Sequence, residues 1–433
     1  MKFAGICIIV VLAAVWVIAG CTSPLVPPEQ YGTPDPSLNP PQGFAEYGGG
    51  TGWNVSGVET EIQPDGKIVI LGHIRNNTQE NLLLARYTPE GTLDKGFGTD
   101  GIVTYPGDGR TRGLGLALQP DGKIVATGYT WRGSQRDVLL LRYLANGTLD
   151  PAFGTGGVVT WSSQGSGTDI GFGVAVRGDG DILVAGESAN STSQDTLVLA
   201  YTPDGALDTR FGDGGIVISG GPGLDRGFAI AIQPDNKTIV AGSAAVNSTM
   251  EVSLLRLNQD GTPDPTFGSG GSVLFSEGGT SPDYGNCVTV GSDGKILVSG
   301  AASDGRSFGL LLLRYLPDGT PDRTFGTGGA AVFRNTGSND MYGYSHAVQP
   351  DGKIVVTGYT QNGTAVDLLL ARLNTAGSPD PAFGIGGRMI WNGPGNGTDY
   401  GNDVALQSDG RIVVTGFSTN GPEEDMLVVR FLP

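Results

Sequence analysis

The sequence predicts an all-β fold: a seven-bladed β-propeller with four antiparallel strands per blade, closed by an N-terminal strand, Gly43–Tyr47, added to the C-terminal blade. Three observations carry this. A short phrase, "QPDGKIV" and its variants, recurs seven times at nearly constant spacing. Each unit breaks into four strand-like segments bounded by turn residues. The last unit stops one strand short, and the N-terminal region holds a matching segment.

The phrase begins at Gln63, Gln119, Arg177, Gln233, Gly291, Gln349 and Gln407, with spacings of 56, 58, 56, 58, 58 and 58 residues. Seven copies at that period point to a repeat architecture. The second unit shows the elements. "GLALQ" (Gly115–Gln119) reads as a short strand. "PDG" is a tight turn, in which Pro fixes one φ and Gly accepts a positive one. "KIVATGYT" (Lys123–Thr130) is a second strand, "DVLLLRYL" (Asp137–Leu144) a third and "GVVTW" (Gly157–Trp161) a fourth. They are short and rich in β-branched and aromatic residues. Several are apolar on both faces, as in Leu310–Leu316, which a sheet covered on both sides requires. No stretch beyond the first twenty residues has a helical period. A β-helix is the other repeat fold to weigh, but its coils are much shorter than this period.

Ring closure follows from one spacing. Trp161, Phe275, Phe333 and Trp391 each end a fourth strand 16 residues before the next phrase, and Tyr47 stands 16 residues before Gln63. "GFAEY" (Gly43–Tyr47) therefore occupies the fourth-strand position for the unit that ends at "DMLVVRFLP". Pairing it there leaves no open edge in the ring.

Six units share an [LP]-Asp-x-x-Phe-Gly motif, with Asp94, Asp150, Asp208, Asp264, Asp322 and Asp380 followed by Phe97, Phe153, Phe211, Phe267, Phe325 and Phe383. A fainter "PDPSL" at Pro34–Leu38 precedes the closing strand, so the ring can begin before Gly43. Each Asp lies eight residues after a strand Arg (Arg86, Arg142, Arg256, Arg314, Arg372), except where Ala200 stands instead. A structural role fits such copying: Asp caps a turn and pairs with Arg, and Phe fills the seam between blades.

The phrases "GLALQPDGKIVATG", "DVLLLRY" and "GTLDPAFGTGGVV" resemble the delta-60 repeat proteins, an uncharacterised family, over essentially all of residues 43–433. That resemblance implies a propeller and frequent export. It supplies no activity and no catalytic residues.

The N-terminus reads as an export signal. Lys2 precedes an apolar run from Phe3 to Ala19 that ends in Ile18-Ala19-Gly20-Cys21. Residues 1–20 are expected to be a lipoprotein signal peptide, with Cys21 lipidated and first in the mature chain; an uncleaved membrane anchor is the alternative. Either places the remainder outside the cytoplasm, as a membrane-anchored protein at the cell surface or in the periplasm. Residues 21–42, rich in Pro, form a tether, and residues 43–433 the propeller. Without residues 1–20 the chain has 25 Lys and Arg against 43 Asp and Glu, a net of −18. Such a surface repels nucleic acid, so none is expected as a partner, and membrane contact is expected through the lipid alone. With Cys7 in the signal and Cys21 the proposed lipid site, Cys287 is left alone, so packing must stabilise the fold. Eight N-x-[ST] sequons, at Asn54, Asn76, Asn146, Asn190, Asn236, Asn247, Asn362 and Asn396, are candidate glycosylation sites.

Function is expected on the face opposite the uniform turns. There the second-to-third and fourth-to-first loops vary: compare "TWRGSQRD" with "STNGPEED". An Asp stands eight residues before the phrase in four units (Asp169, Asp225, Asp283, Asp399), with Asp340 one position earlier, and Tyr284, Tyr342 and Tyr400 lie beside three of them. Together they suit sugar hydroxyls, a cation or a basic peptide. Their structural alternative is Asp accepting a turn N–H and Tyr packing at the blade top. His73 and His346 are too few and scattered for a metal centre, and Asp179-Gly180-Asp181 lacks the rest of a calcium loop. No catalytic motif, cofactor or metal site is expected. The expectation is a monomeric, non-catalytic module that binds a protein or glycan. A polysaccharide lyase or hydrolase with an acid and tyrosine site, or a structural envelope component, are the alternatives.

Overall fold

The computed structural model describes residues 34–433 apart from 164–166, 190–192, 279–280, 336–338, 364 and 420. The export segment, Cys21, most of the tether and Asn190 lie outside the described residues. The chain forms seven four-stranded antiparallel sheets arranged as a propeller. The closing strand is β1 (Phe44–Tyr47). Blade 1 comprises β2 (Asn54–Ile62), β3 (Ile68–Arg75), β4 (Glu80–Tyr87) and β5 (Ile102–Tyr105). The inner strands of blades 2 to 7 begin at Thr111, Asp169, Arg226, Asp283, Met341 and Asp399.

β1 pairs with the C-terminal strand Asp425–Phe431, from Phe44↔Val429 to Tyr47↔Met426. The seventh sheet is thus made from both ends of the ring, as the spacing of Tyr47 predicts. Trp161, Phe275, Phe333 and Trp391 likewise end fourth strands.

Blades pack face to face through Val, Ile and Leu of the middle strands, which explains the runs apolar on both sides. On the tight-turn face the seams share one clamp, varied in blades 3 and 7. Arg86 Nε donates to Asp94 at 2.8 Å, its guanidinium lies 4.5 Å from the Phe97 ring centre, and Nη1 reaches the Ala145 carbonyl of blade 2. Arg142, Arg256 and Arg314 repeat this toward Pro203, Pro317 and Thr375. The Phe97 ring lies where a Cβ on Gly147 of blade 2 would sit, and Gly147 has φ +86°. The seventh clamp is split between the chain ends: Arg430 Nε donates to Asp35 at 3.0 Å, Nη1 donates to Pro89 O at 2.6 Å, and Leu38 takes the place of Phe against Gly91. The "PDPSL" echo is therefore part of this clamp.

Blade 3 lacks the strand Arg, having Ala200. Arg177, where other blades carry Gln or Gly, fills the gap from the hairpin turn. Its guanidinium lies 5.4 Å from the Phe211 ring centre, and Nη1 donates to Gln259 O of blade 4 at 3.2 Å.

The inner strands begin earlier than their sequence suggests, Thr111–Leu118 rather than Gly115–Gln119. The cause is a β-bulge in every inner strand, between Gly57 and Glu59 in β2 and at the equivalent position in the other six. A bulge breaks the two-residue alternation by which a strand is recognised.

Candidate functional site: the channel and its loop-face mouth

Each bulge re-aims one side chain into the central channel. Val58, Leu114, Phe172, Phe228, Asn286, Tyr344 and Asn402 all line one cavity of about 550 Å³. They sort by sector. Blades 1–4 contribute apolar residues, with Phe172 and Phe228 edge to face at 5.3 Å. Blades 5–7 contribute Asn, Tyr and Asn; Asn286 Nδ2 donates to Gly343 O at 2.9 Å and Asn402 Nδ2 to Gly57 O at 2.7 Å.

The residue after each bulge repeats the division. Cys287, Ser345, Asp403 and Glu59 occupy blades 5, 6, 7 and 1, and Gly115, Gly173 and Ala229 occupy blades 2 to 4. The two acids span seams: Asp403 accepts from Thr60 N at 2.7 Å, and Glu59 from Leu116 N. Glu61 stands two residues along the strand from Glu59. Burial pushes all three carboxyls upward, Glu61 to about 7, and the neighbouring carboxylates add to it for Glu59 and Glu61. Cys287 is pushed up to about 12, chiefly by burial. His346 is buried, with Nε2 2.7 Å from Thr289 Oγ and Nδ1 2.8 Å from Ser299 Oγ, a structural bridge.

At the mouth, Tyr284, Tyr342 and Tyr400 immediately precede the bulge glycines of blades 5, 6 and 7. Ser56, Arg112, Ile170 and Arg226 hold that place in blades 1–4. The tyrosines join a continuous arc of rings. Tyr284 lies 6.2 Å from Phe308, Phe308 4.8 Å from Tyr342, and Tyr342 stacks on Tyr359 at 5.4 Å. Tyr359 lies 4.8 Å from Tyr400, which stacks on Phe417 at 4.8 Å, and Tyr344 closes the arc 5.9 Å from Tyr359. Burial raises Tyr342, Tyr344 and Tyr359, the last to about 12, so these phenols are protonated donors. On the other side of the mouth Arg226 is bound to Glu187 at 2.6 Å, and Arg136 lies over Trp131 and Tyr129 at 4.7 and 5.0 Å.

The aspartates expected beside the tyrosines are placed differently. Asp169, Asp225, Asp283 and Asp399 are buried and hold loops. Asp169 accepts from Ser163 N at 2.7 Å, and Asp225 from Gly221 N and Ala245 N, both at 2.8 Å. Asp283 accepts from Glu277 N at 2.8 Å and Ser303 N at 2.9 Å, and Asp399 from Gly393 N at 2.9 Å. Asp340, half-buried, accepts from Phe308 N at 2.8 Å and so positions a ring of the arc. The tyrosines are brought together at the mouth and the acids beneath it. Sequence reading missed Tyr344, Tyr359, Glu59, Glu61 and Asp403. The signal available was a glycine six residues before every phrase, Gly57 to Gly401, which marks the bulge.

Among the sequons, Asn146, Asn247 and Asn396 are exposed, while Asn54, Asn76 and Asn236 are partly buried. Asn54 Oδ1 accepts from Glu424 N at 2.9 Å and so helps join blades 7 and 1.

Seven copies of one four-stranded unit around a lined channel define a repeat β-propeller. The chain belongs to the family described as "Domain of unknown function (DUF5122) beta-propeller", whose model matches residues 63–97, 119–153, 177–211, 233–267, 291–325, 349–383 and 407–433. No curated protein matches it. Similar solved structures include a protein of unknown function from Dyadobacter fermentans (13% identity, TM-score 0.47, covering 89% of this chain and 97% of that one). Others are Drosophila Semaphorin 1b extracellular domains 1-2 (10%, 0.45, covering 89% and 86%) and the polysaccharide lyase Uly1 (10%, 0.45, covering 87% and 89%).

Proposed function

We propose that this protein is an exported, lipid-anchored module that binds a glycan at the loop-face mouth and performs no chemistry on it. The observation that carries the reading is the arc of seven aromatic rings across blades 5–7. Ring faces stack on the C–H faces of sugars, and the phenol ends bond sugar hydroxyls. The nearby aspartates already accept loop N–H groups, so they do not serve as catalytic acids. Export and anchoring rest on the apolar segment that ends at Cys21. A chain from residue 22 onward, screened against glycans and cell-envelope extracts, tests the reading. Binding should be abolished by Tyr342→Ala and Tyr359→Ala; a glycan held equally well by both variants would exclude the arc.

An enzyme is the second reading, favoured by one observation: Glu59 and Asp403 line the cavity, and burial pushes Asp403 up to about 6, toward the range of a general acid. Polysaccharide turnover that disappears in Asp403→Asn would establish it over the binding module. A purely structural envelope component would retain no ligand in either assay.

A further inference from the structure

The cavity shares Tyr344, Tyr400 and Phe417 with the arc and is otherwise an amphipathic slot. We propose that it binds an organic ammonium ion: a primary amine carried on a small apolar body. Glu59 and Asp403 line one wall of it, and Glu61 stands two residues along the strand from Glu59, outside the lining. The charged neighbours of Glu59 are Asp403 and Glu61, and that of Glu61 is Asp403, so among the described residues these carboxyls face like charge. Arg112, which also lines the cavity, faces Glu80 at 3.8 Å. Grouped buried carboxylates without a cation favour a ligand that brings one.

The second observation is independent of the acids. His73 stands in the wall of the same cavity, 2% exposed, and its Nδ1 has no hydrogen-bond partner. Burial, with Arg112 and Arg75 nearby, keeps the ring neutral. A neutral imidazole always carries one lone-pair nitrogen, and an ammonium N–H is a donor for it.

The opposite wall sets the rest of the ligand. Phe172 and Phe228 meet edge to face there, beside Leu114. Of the side chains that blades 2–4 place in the cavity lining, Arg112 alone is polar, and Gly115, Gly173 and Ala229 add none. A hydrocarbon body is buried against it, and ring faces add attraction for the cation. A bare metal ion fits less well, since among the described residues no three His, Cys, Asp or Glu groups are placed to hold one. The cavity's volume of about 550 Å³ suits a small organic molecule.

The test is calorimetric titration of the folded chain with phenethylamine at neutral pH. Separate titrations use 2-phenylethanol, calcium chloride, and Nα-acetyl-lysine amide as a stand-in for a protein lysine. The amine is expected to bind saturably and the alcohol not. Nα-acetyl-lysine amide binding as tightly as phenethylamine would make a protein side chain the source of the ammonium. Glu59→Gln should weaken amine binding roughly 30-fold. The glutamine keeps an oxygen that can accept from Leu116 N, and an unchanged melting temperature would separate lost binding from lost fold. Tyr342→Ala should leave amine binding intact, which distinguishes this site from the glycan arc. Equal binding of alcohol and amine, displacement of the amine by calcium, or no saturable heat with either amine would overturn the proposal.

Discussion

The two ends of the ring follow opposite rules. On the tight-turn face, one Arg–Asp–Phe clamp is copied from blade to blade, and where the pattern lapses the chain repairs it. At the mouth and in the channel the blades differ: blades 5–7 carry the tyrosines, asparagines and Asp403, blades 2–4 carry Leu, Phe, Gly and Ala with Arg112 and Arg226 at the mouth, and blade 1 combines Val58 with Glu59. Every seam must close, so closure is copied. A ligand is met once, so its contacts break the repeat. Departure from the repeat, rather than the repeat itself, is where recognition is read in this molecule.

The largest expected effect comes from breaking closure. A chain beginning at Gly48 lacks β1, Asp35 and Leu38 and leaves the strand Asp425–Phe431 as an open, apolar edge. It should aggregate or unfold, lowering the melting temperature by more than about 10 °C. Size-exclusion chromatography and thermal denaturation check this; a monodisperse ring of wild-type stability would refute the shared seventh blade. Next is the clamp. Arg142→Ala leaves Asp150 buried without its main cation and should cost about 3–5 kcal/mol by urea denaturation. An effect below about 1 kcal/mol would make the clamp decorative.

These predictions mark what was legible. Closure was, because aromatic residues at fixed distances from the phrase report strand ends however the strand is exposed. The clamp was, because Arg, Asp and Phe recur at constant offsets. The channel was not. Its residues fall at bulges, where alternation fails, and each differs from its counterparts, so repetition gives no help. Gly72 shows the cause. A Cβ there would sit 1.9 Å from Ser56 O, so the kinked inner strand requires glycine across from it. The paired glycines were the readable trace, but the residue between them is free to vary. The aspartates beside the tyrosines misled because an acid in a loop looks the same in sequence whether it faces solvent or caps the turn.

Blade 3 offers a smaller and more discriminating test. Arg177→Gln should destabilise by about 2 kcal/mol, since Phe211 and Gln259 O lose their cation. Adding Ala200→Arg rebuilds the clamp of the other blades and should restore most of that loss. The coupling between two changes in one contact set can reach about 0.5–3 kcal/mol. Strict additivity would mean that Arg177 does not stand in for the missing strand arginine.

The ends should also differ in the sign of their pH dependence. Burial works against ionisation of Asp264, but Lys237, Thr266 and Arg256 outweigh it and hold the carboxyl well below the usual range. The unfolded chain then binds more protons in acid, so this stability is present above about pH 4 and is lost as pH falls. Glu61, raised to about 7, is the reverse: the folded state binds more protons between about pH 4.3 and 7, so stability falls as pH rises through that window. Glu61→Gln should therefore match wild type near pH 4 and exceed it by about 1–2 kcal/mol above pH 7. Asp264→Asn should match wild type in strong acid and fall behind at neutral pH. Urea melts across pH 3–8 with parallel curves for both variants would remove the contrast.

The smallest expected effect on stability is at the arc, and that smallness is the point. Tyr400 lies between Tyr359 and Phe417, each 4.8 Å away, and is half-buried at the mouth. Tyr400→Leu keeps much of the apolar volume and removes one stacking partner, so it should cost about 0.5–1.5 kcal/mol. A clamp residue of similar burial owes its presence to the seam and would cost more. If Tyr400→Leu destabilised the ring as strongly as Arg142→Ala, the arc would belong to the architecture, and the division between copied closure and unrepeated recognition would fail. If the loss is small and glycan binding disappears, the rings are there for what they touch outside the chain.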